Sequence, residues 1–155
     1  MERFQVGSTQ HNEMLDITQK VAEIVRSSGV RDGLCTVYVP HATCAIMINE
    51  NDDPRVCLDI MDSLAASIPK GKWRHDRVDG NAASHIKAGI IGPSQSIPVH
   101  AGKLLLGRWQ SIMLAEFDAS EIATRTLHAL AWSKRAISEC AQEHATGFSS
   151  WFLTN

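Results

Sequence analysis

Three histidines sit in segments whose composition suits chemistry: His41 in PHATCAIMINEND, His75 in KWRHD and His85 in GNAASHIKAGIIGPS. A neutral imidazole offers a lone pair, and three of them on a rigid frame leave a fourth position open to water or substrate, as in a catalytic zinc site. The wide separation of the three requires ligands from three different elements, and no HxxxH-type spacing supports the set. The alternative is three unrelated surface histidines. Glu50 in INEND and Glu116 in LAEFD each close an apolar run, where burial would raise a carboxyl pKa toward general-base work or let the group hold a cation. The plainer reading of each is a solvated strand end.

A second group of residues suits an anion. Asn81 lies between Gly80 and two alanines, and Ser94 follows Gly92-Pro93, positions where backbone amides can be free at a helix or turn start. Arg74, Lys87 and Arg108 supply positive charge. A phosphate or carboxylate ligand fits that supply, although no GxxxxGK[ST] loop occurs and turn formation alone explains most of these residues. Asp52-Asp53 is better explained by helix capping than by magnesium binding.

The elements that must position these groups follow from periodicity. FQVGST alternates as a short strand, and Met14, Ile17, Val21, Ile24 and Val25 recur with helical period until Gly29. LCTVYV and CAIMI read as strands broken at Pro40, which places His41 at the break. Asp53-Pro54 starts a second helix with a stripe of Cys57, Ile60, Met61, Leu64 and Ile68. His75 then lies in a polar loop, and His85 on a short helix capped by Asn81 and running to about Ala88. Ile97 and Val99 pair with Leu104–Leu106 across His100-Ala101-Gly102, and Trp109–Phe117 is a further strand. Beyond it, Asp118 with Glu121 resembles a capping box, and Ile122, Leu127, Leu130 and Ile137 predict a carboxy-terminal helix. Strands paired between isolated helices, without β-α-β alternation, predict an α+β fold with a largely antiparallel or mixed sheet.

Length and composition bound the rest. The chain has 155 residues, 44% hydrophobic and 21% charged, which fits one globular domain over residues 1–155 and excludes a disordered or fibrous role. A net charge of −2 gives no basic field for nucleic acid. No apolar run approaches the roughly 20 residues of a membrane span, and the start lacks a signal-peptide core, so a soluble cytoplasmic protein is expected. The four cysteines form no CxxC pair and are expected as reduced core thiols.

The order of these motifs resembles the YjbQ-like family, which is associated with a secondary thiamine-phosphate synthase activity. The likeness runs from about Phe4 to Asp118, through DIT, SGVRDG, PHATCAIMINEND, RHD and GNAASHIKAGIIGPS. It ends in a signature met by Ser94, Ile97, Val99, Gly102, Gly107, Trp109, Gln110 and Ile112. Arg108 and Ala42 stand where the family has hydroxyl residues. The family closes with a strand soon after Glu-Phe-Asp, whereas here a divergent helical tail, 119–155, is expected. The resemblance implies a mixed, largely antiparallel β-barrel or sandwich with two or three flanking helices, assembled as a homotrimer. It also implies His41, His75 and His85 gathered at one site around a divalent metal, zinc foremost, with magnesium an alternative for diphosphate chemistry. The associated reaction joins hydroxymethylpyrimidine diphosphate to thiazole phosphate. Asn81, Lys87, Ser94 and Arg108 are then the candidate ligand contacts, with His75, His85, Glu50 and Glu116 the candidate catalytic groups. Two alternatives stand beside it: a metal-dependent hydrolase of a small phosphorylated or carboxylated metabolite, and a noncatalytic metabolite-binding trimer.

Overall fold

The computed structural model describes residues 1–119 and 123–139. Strands β1 (Glu2–Ser8) and β2 (Glu13–Asp16) precede helix α1 (Thr18–Ser28). Strands β3 (Gly33–Tyr38) and β4 (Cys44–Glu50), helix α2 (Pro54–Ser67), a single 3-10 turn at Arg74–Arg77 and helix α3 (Ala82–Ile91) follow. Strands β5 (Ser94–His100), β6 (Lys103–Leu104), β7 (Gln110–Glu116) and β8 (Ala123–Ser133) complete the order, and residues 134–139 are helical. Among the described residues every strand pairing is antiparallel, in a five-stranded sheet β1-β8-β3-β5-β6 and a three-stranded sheet β2-β7-β4. The fold is α+β, with the two sheets curved into a half-barrel.

The three-stranded sheet is covered on both faces, and strand alternation decides what each side chain meets. Ile46, Ile112 and Leu114 join Val21 and Val25 of α1 and Val37, Ile97 and Leu127 of the larger sheet in the main core. Ala45, Ala115 and Phe117 face the other way, against Met61 and Leu64 of α2 and Ala88 and Ile91 of α3. Glu116 has the parity of Ile112 and Leu114, so its carboxylate is aimed into the layer between the sheets. That placement makes it the residue to explain.

Several local expectations hold for identifiable reasons. Asp53 caps α2 by accepting from the Arg55 amide, with Pro54 in the first turn. Cys35 and Cys44 are buried free thiols, and Cys57 is half-buried; Cys140 lies outside the described residues. The expected Asn81 cap does not form: Asn81 stands at the N-cap position of α3 but makes no capping hydrogen bond, and its Nδ2 donates to Asp118 instead.

Two expectations are overturned. Met14 belongs to β2, where it pairs with Ala115, and α1 begins only at Thr18. The carboxy-terminal helix expected from Leu127 and Leu130 is instead β8, eleven residues long and seated between β1 and β3. The segment ATRTLHALAWS supports period two as well as 3.6: Leu127 and Ala129 are buried while Thr124, Thr126 and Trp132 are exposed. The choice is made by tertiary pairing, since a strand there saturates the backbone groups of both neighbours. Helix begins only at residue 134, and the expected capping partner Glu121 and Ile122 lie outside the described residues.

Candidate functional site

The amino end of β4 and the carboxy end of β7 meet where Cys44 is in register with Glu116. Glu116 is 0% exposed. Three donors converge on it: the Arg125 guanidinium, at 2.5 Å through Nε, the Asp118 amide at 2.9 Å and the Cys44 thiol at 3.3 Å. Burial pushes the Glu116 pKa up, but the hydrogen bonds from Arg125, Asp118 and Cys44 outweigh it and hold the carboxyl below its usual range. Glu116 is therefore ionised, a correction to the expectation that burial would raise it to serve as a base. Burial and the adjoining carboxylate push the Cys44 thiol up to about 12, so it stays protonated and donates.

Arg125 is supplied by β8 and its side chain is only 15% exposed. Its Nη1 lies 3.0 Å from Nε2 of His41, on the break between β3 and β4. A guanidinium can only donate, so His41 Nε2 must accept. The other ring nitrogen, Nδ1, faces Thr43, 3.1 Å from its hydroxyl and 3.3 Å from its backbone amide. Burial, followed by the charge of Arg125, holds the His41 pKa below its ordinary value and favours the neutral imidazole. Glu116, Asp118 and His85 are also near enough to act electrostatically on His41.

On the far side of Asp118, its carboxylate accepts from Asn81 Nδ2 at 2.8 Å. The other amide atom, Asn81 Oδ1, is buried and without a hydrogen-bond partner among the described residues. Asn81 begins the helix that carries His85, whose ring meets that of His75 edge to face, 5.2 Å between centroids. His75 is held there by Asp76, which accepts from the Trp73 amide at 2.8 Å and the Ala82 amide at 3.1 Å, tying the 3-10 turn to the start of α3. His75 also stands 3.7 Å from Asp79. A cleft of about 570 Å³ opens beside the pair, lined by Trp73, His75, His85 and Ile86 among others.

The remaining expected site residues fall elsewhere. Glu50 is in register with Gln110, at the opposite end of the same ladder, six residues from Cys44 and so roughly 20 Å away along the strand. Arg108 lies near that end too, stacked on the exposed Trp109 ring at 4.5 Å. Ser94 is exposed opposite Tyr38. Lys87 is 4% exposed and lies against the Phe117 ring, 5.8 Å from its centroid, rather than at an open mouth. Burial and then Lys70 hold the Lys87 pKa below its usual value.

Of the three histidines in the metal set implied by the resemblance, His75 and His85 meet ring to ring, while His41 stands apart from that pair with Nε2 3.0 Å from Arg125 and Nδ1 on Thr43. Among the described residues, no group of three or more His, Cys, Asp or Glu side chains stands close enough together to hold a metal ion. The group that the structure does assemble, His41, Arg125 and Glu116 beside Asn81, Asp118, His85 and His75, contains two members sequence reasoning missed: Asp118, read only as a helix cap, and Arg125. Arg125 was hidden in a segment read as helix, and the only signal for it was the unpaired acid it answers.

The same arrangement of segments recurs in known proteins. The family model described as "UPF0047 protein YjbQ-like" matches residues 2–134, which includes β8 and Arg125 and so extends past the Asp118 limit drawn from motifs. A UPF0047 protein of Methanocaldococcus jannaschii is 43% identical over 116 residues, 75% of this chain and 83% of the relative. The UPF0047 protein YugU of Bacillus subtilis is 36% identical over 80% of this chain and 94% of its own length. A crystal structure of a YjbQ/UPF0047 family protein of Clostridium acetobutylicum superposes with a TM-score of 0.81 at 38% identity, covering 85% of this chain and 100% of that one. With family match, sequence relatives and fold in agreement, the chain belongs to the YjbQ-like UPF0047 family.

Proposed function

We propose that this chain is an enzyme acting on a small phosphorylated substrate at the His41, Arg125 and Glu116 cluster, and that thiamine-phosphate formation is the reaction to test on it. The observation that carries the reading is the guanidinium of Arg125, fixed on one side by a buried ionised carboxylate and bounded on the other by the lone pair of a neutral imidazole. Such a cation is oriented before any ligand arrives, and its remaining N–H groups suit a phosphoryl oxygen.

In the proposed reaction the bond from the pyrimidine methylene carbon to the diphosphate oxygen breaks, and the diphosphate leaves with the electron pair. The thiazole nitrogen supplies the pair that forms the new carbon–nitrogen bond. The chain's contribution is to hold the departing charge against Arg125, with His85 and His75 as hydrogen-bond and proton-transfer partners and the Trp73 cleft as a seat for the ring. Asn81 Oδ1 is an unused buried acceptor in the same cluster, available to a substrate N–H. Magnesium, where present, arrives with the diphosphate it accompanies. The homotrimer and the cytoplasmic location belong to the same reading. Among the described residues no helix is long and apolar enough to cross a membrane.

The His75 and Asp79 contact favours a second reading, hydrolysis of a small phosphorylated metabolite, because a carboxylate-oriented imidazole can draw a proton from water. One assay separates the two: diphosphate release from hydroxymethylpyrimidine diphosphate, with and without thiazole phosphate. Release that requires the thiazole and falls at least tenfold in folded His85→Ala supports the synthase reading. Release that ignores the thiazole supports hydrolysis, and no release above the protein-free blank rejects the synthase reading and hydrolysis of this diphosphate.

A further inference from the structure

Away from this cluster, α1 and the turn joining β5 to β6 enclose a cavity of about 650 Å³, within the range of small-molecule sites. Its floor is apolar, formed by Val25, Leu104 and Leu106, all packed on or in the main core. Its rim is positive: Arg26, Arg31 and Lys103 line it and no acidic residue does. Among the described residues none of these three cations is in an ion pair. Asp32, next to Arg31 in the chain, is near enough to feel the Arg31 charge, but its carboxylate is engaged by the His100 ring at 2.7 Å.

The cavity is also built open. Gly29 ends α1 in the left-handed conformation, with φ +70°, and a Cβ placed there would meet nothing within 4 Å. Gly102, with φ +78° and its amide on the Arg31 carbonyl at 2.8 Å, bends the β5–β6 turn back over α1 and lines the opposite side. An apolar pocket under three unpaired cations is complementary to a molecule with an apolar body and one anionic end.

We infer that the cavity between α1 and the β5–β6 turn is a second ligand site, separate from the His41 cluster, for an amphiphilic carboxylate such as a medium-chain fatty acid. The acyl chain lies on Val25, Leu104 and Leu106, and the carboxylate is held by Arg26, Arg31 and Lys103 at the rim.

Decanoate, titrated calorimetrically into the full-length protein, tests this. The expected result is saturable binding of one decanoate per chain, with octanoate weaker by about fifteenfold, since each methylene buried changes affinity about fourfold. Decanol, which has the chain without the charge, is expected to bind at least tenfold more weakly. Decanoate affinity should likewise fall at least tenfold in Arg26→Glu/Lys103→Glu, whose exposed positions should leave the fold intact, and stay unchanged in His41→Ala. Equal binding of decanol and decanoate, or binding indifferent to the two charge reversals, would overturn the inference. So would absence of decanoate binding together with a change of assembly state in the charge-reversed protein, which would make this face a contact between copies of the chain.

Discussion

Replacing Glu116 with glutamine removes one negative charge from a fully buried position and leaves the shape nearly unchanged. Three donors then lose their acceptor or share a weaker one: Arg125, the Asp118 amide and the Cys44 thiol. Breaking a buried pair by removing one partner typically destabilises by 3–5 kcal/mol; because the Arg125 side chain keeps 15% of its surface exposed and can recruit water, about 3 kcal/mol is the expected loss. For a domain of this size that lowers Tm by roughly 6–12 °C, measurable by calorimetry or urea titration. The effect has a pH signature. The folded carboxyl pKa is depressed, so its stabilisation is fully present above the unfolded value of about 4.3 and is lost as pH falls through the folded value. The gap between wild type and Glu116→Gln should therefore be constant from about pH 5.5 to 8 and shrink below about pH 4. A variant within about 0.5 kcal/mol of wild type at neutral pH would refute the claim that this carboxylate is ionised and holds Arg125 in place.

Further outcomes follow from particular residues. Gly33→Ala would drive a methyl carbon into the Trp132 carbonyl oxygen on β8, and should destabilise by about 3 kcal/mol or prevent soluble expression; a wild-type melting curve would show that β3 and β8 do not approach this closely. Ala101 has φ +50° beside Gly102 in the two-residue β5–β6 turn, so Ala101→Asn should stabilise by about 0.5–1 kcal/mol in denaturant unfolding, and any loss would contradict that backbone conformation. His41 has a folded pKa below its unfolded value of about 6.5, so it opposes folding as pH falls through that window; the acid loss of stability between about pH 6.5 and 5 should be smaller in His41→Gln, and an identical pH profile would reject the depressed pKa.

Much of the site could be read from residue type and position. His41 at a strand break, Glu116 at a strand end, and Asn81 and His85 at a helix start are local features, and the structure brings all of them, with His75, to one end of the three-stranded sheet. Arg125 could not be read, because Leu127 and Leu130 satisfy a helix and a strand alike, and only the ladders to β1 and β3 select the strand. The same blindness to pairing placed Glu50 and Arg108 beside the histidines. The antiparallel register of β4 with β7 sends them to the opposite end, and nothing in either segment alone encodes it. The direction of the Glu116 shift was misjudged for a related reason: burial alone raises a carboxyl, and the donors that reverse it come from residues 44, 118 and 125, which meet only in the fold.

The proposed role of Arg125 as an oriented anion contact is measured directly by the binding of diphosphate. Titration of diphosphate into the folded protein should show saturable binding, weakened at least tenfold in Arg125→Lys, which keeps the charge and loses the planar fork, with circular dichroism confirming retained structure. Equal affinity in the two proteins, or no saturable binding to wild type, would contradict the central claim.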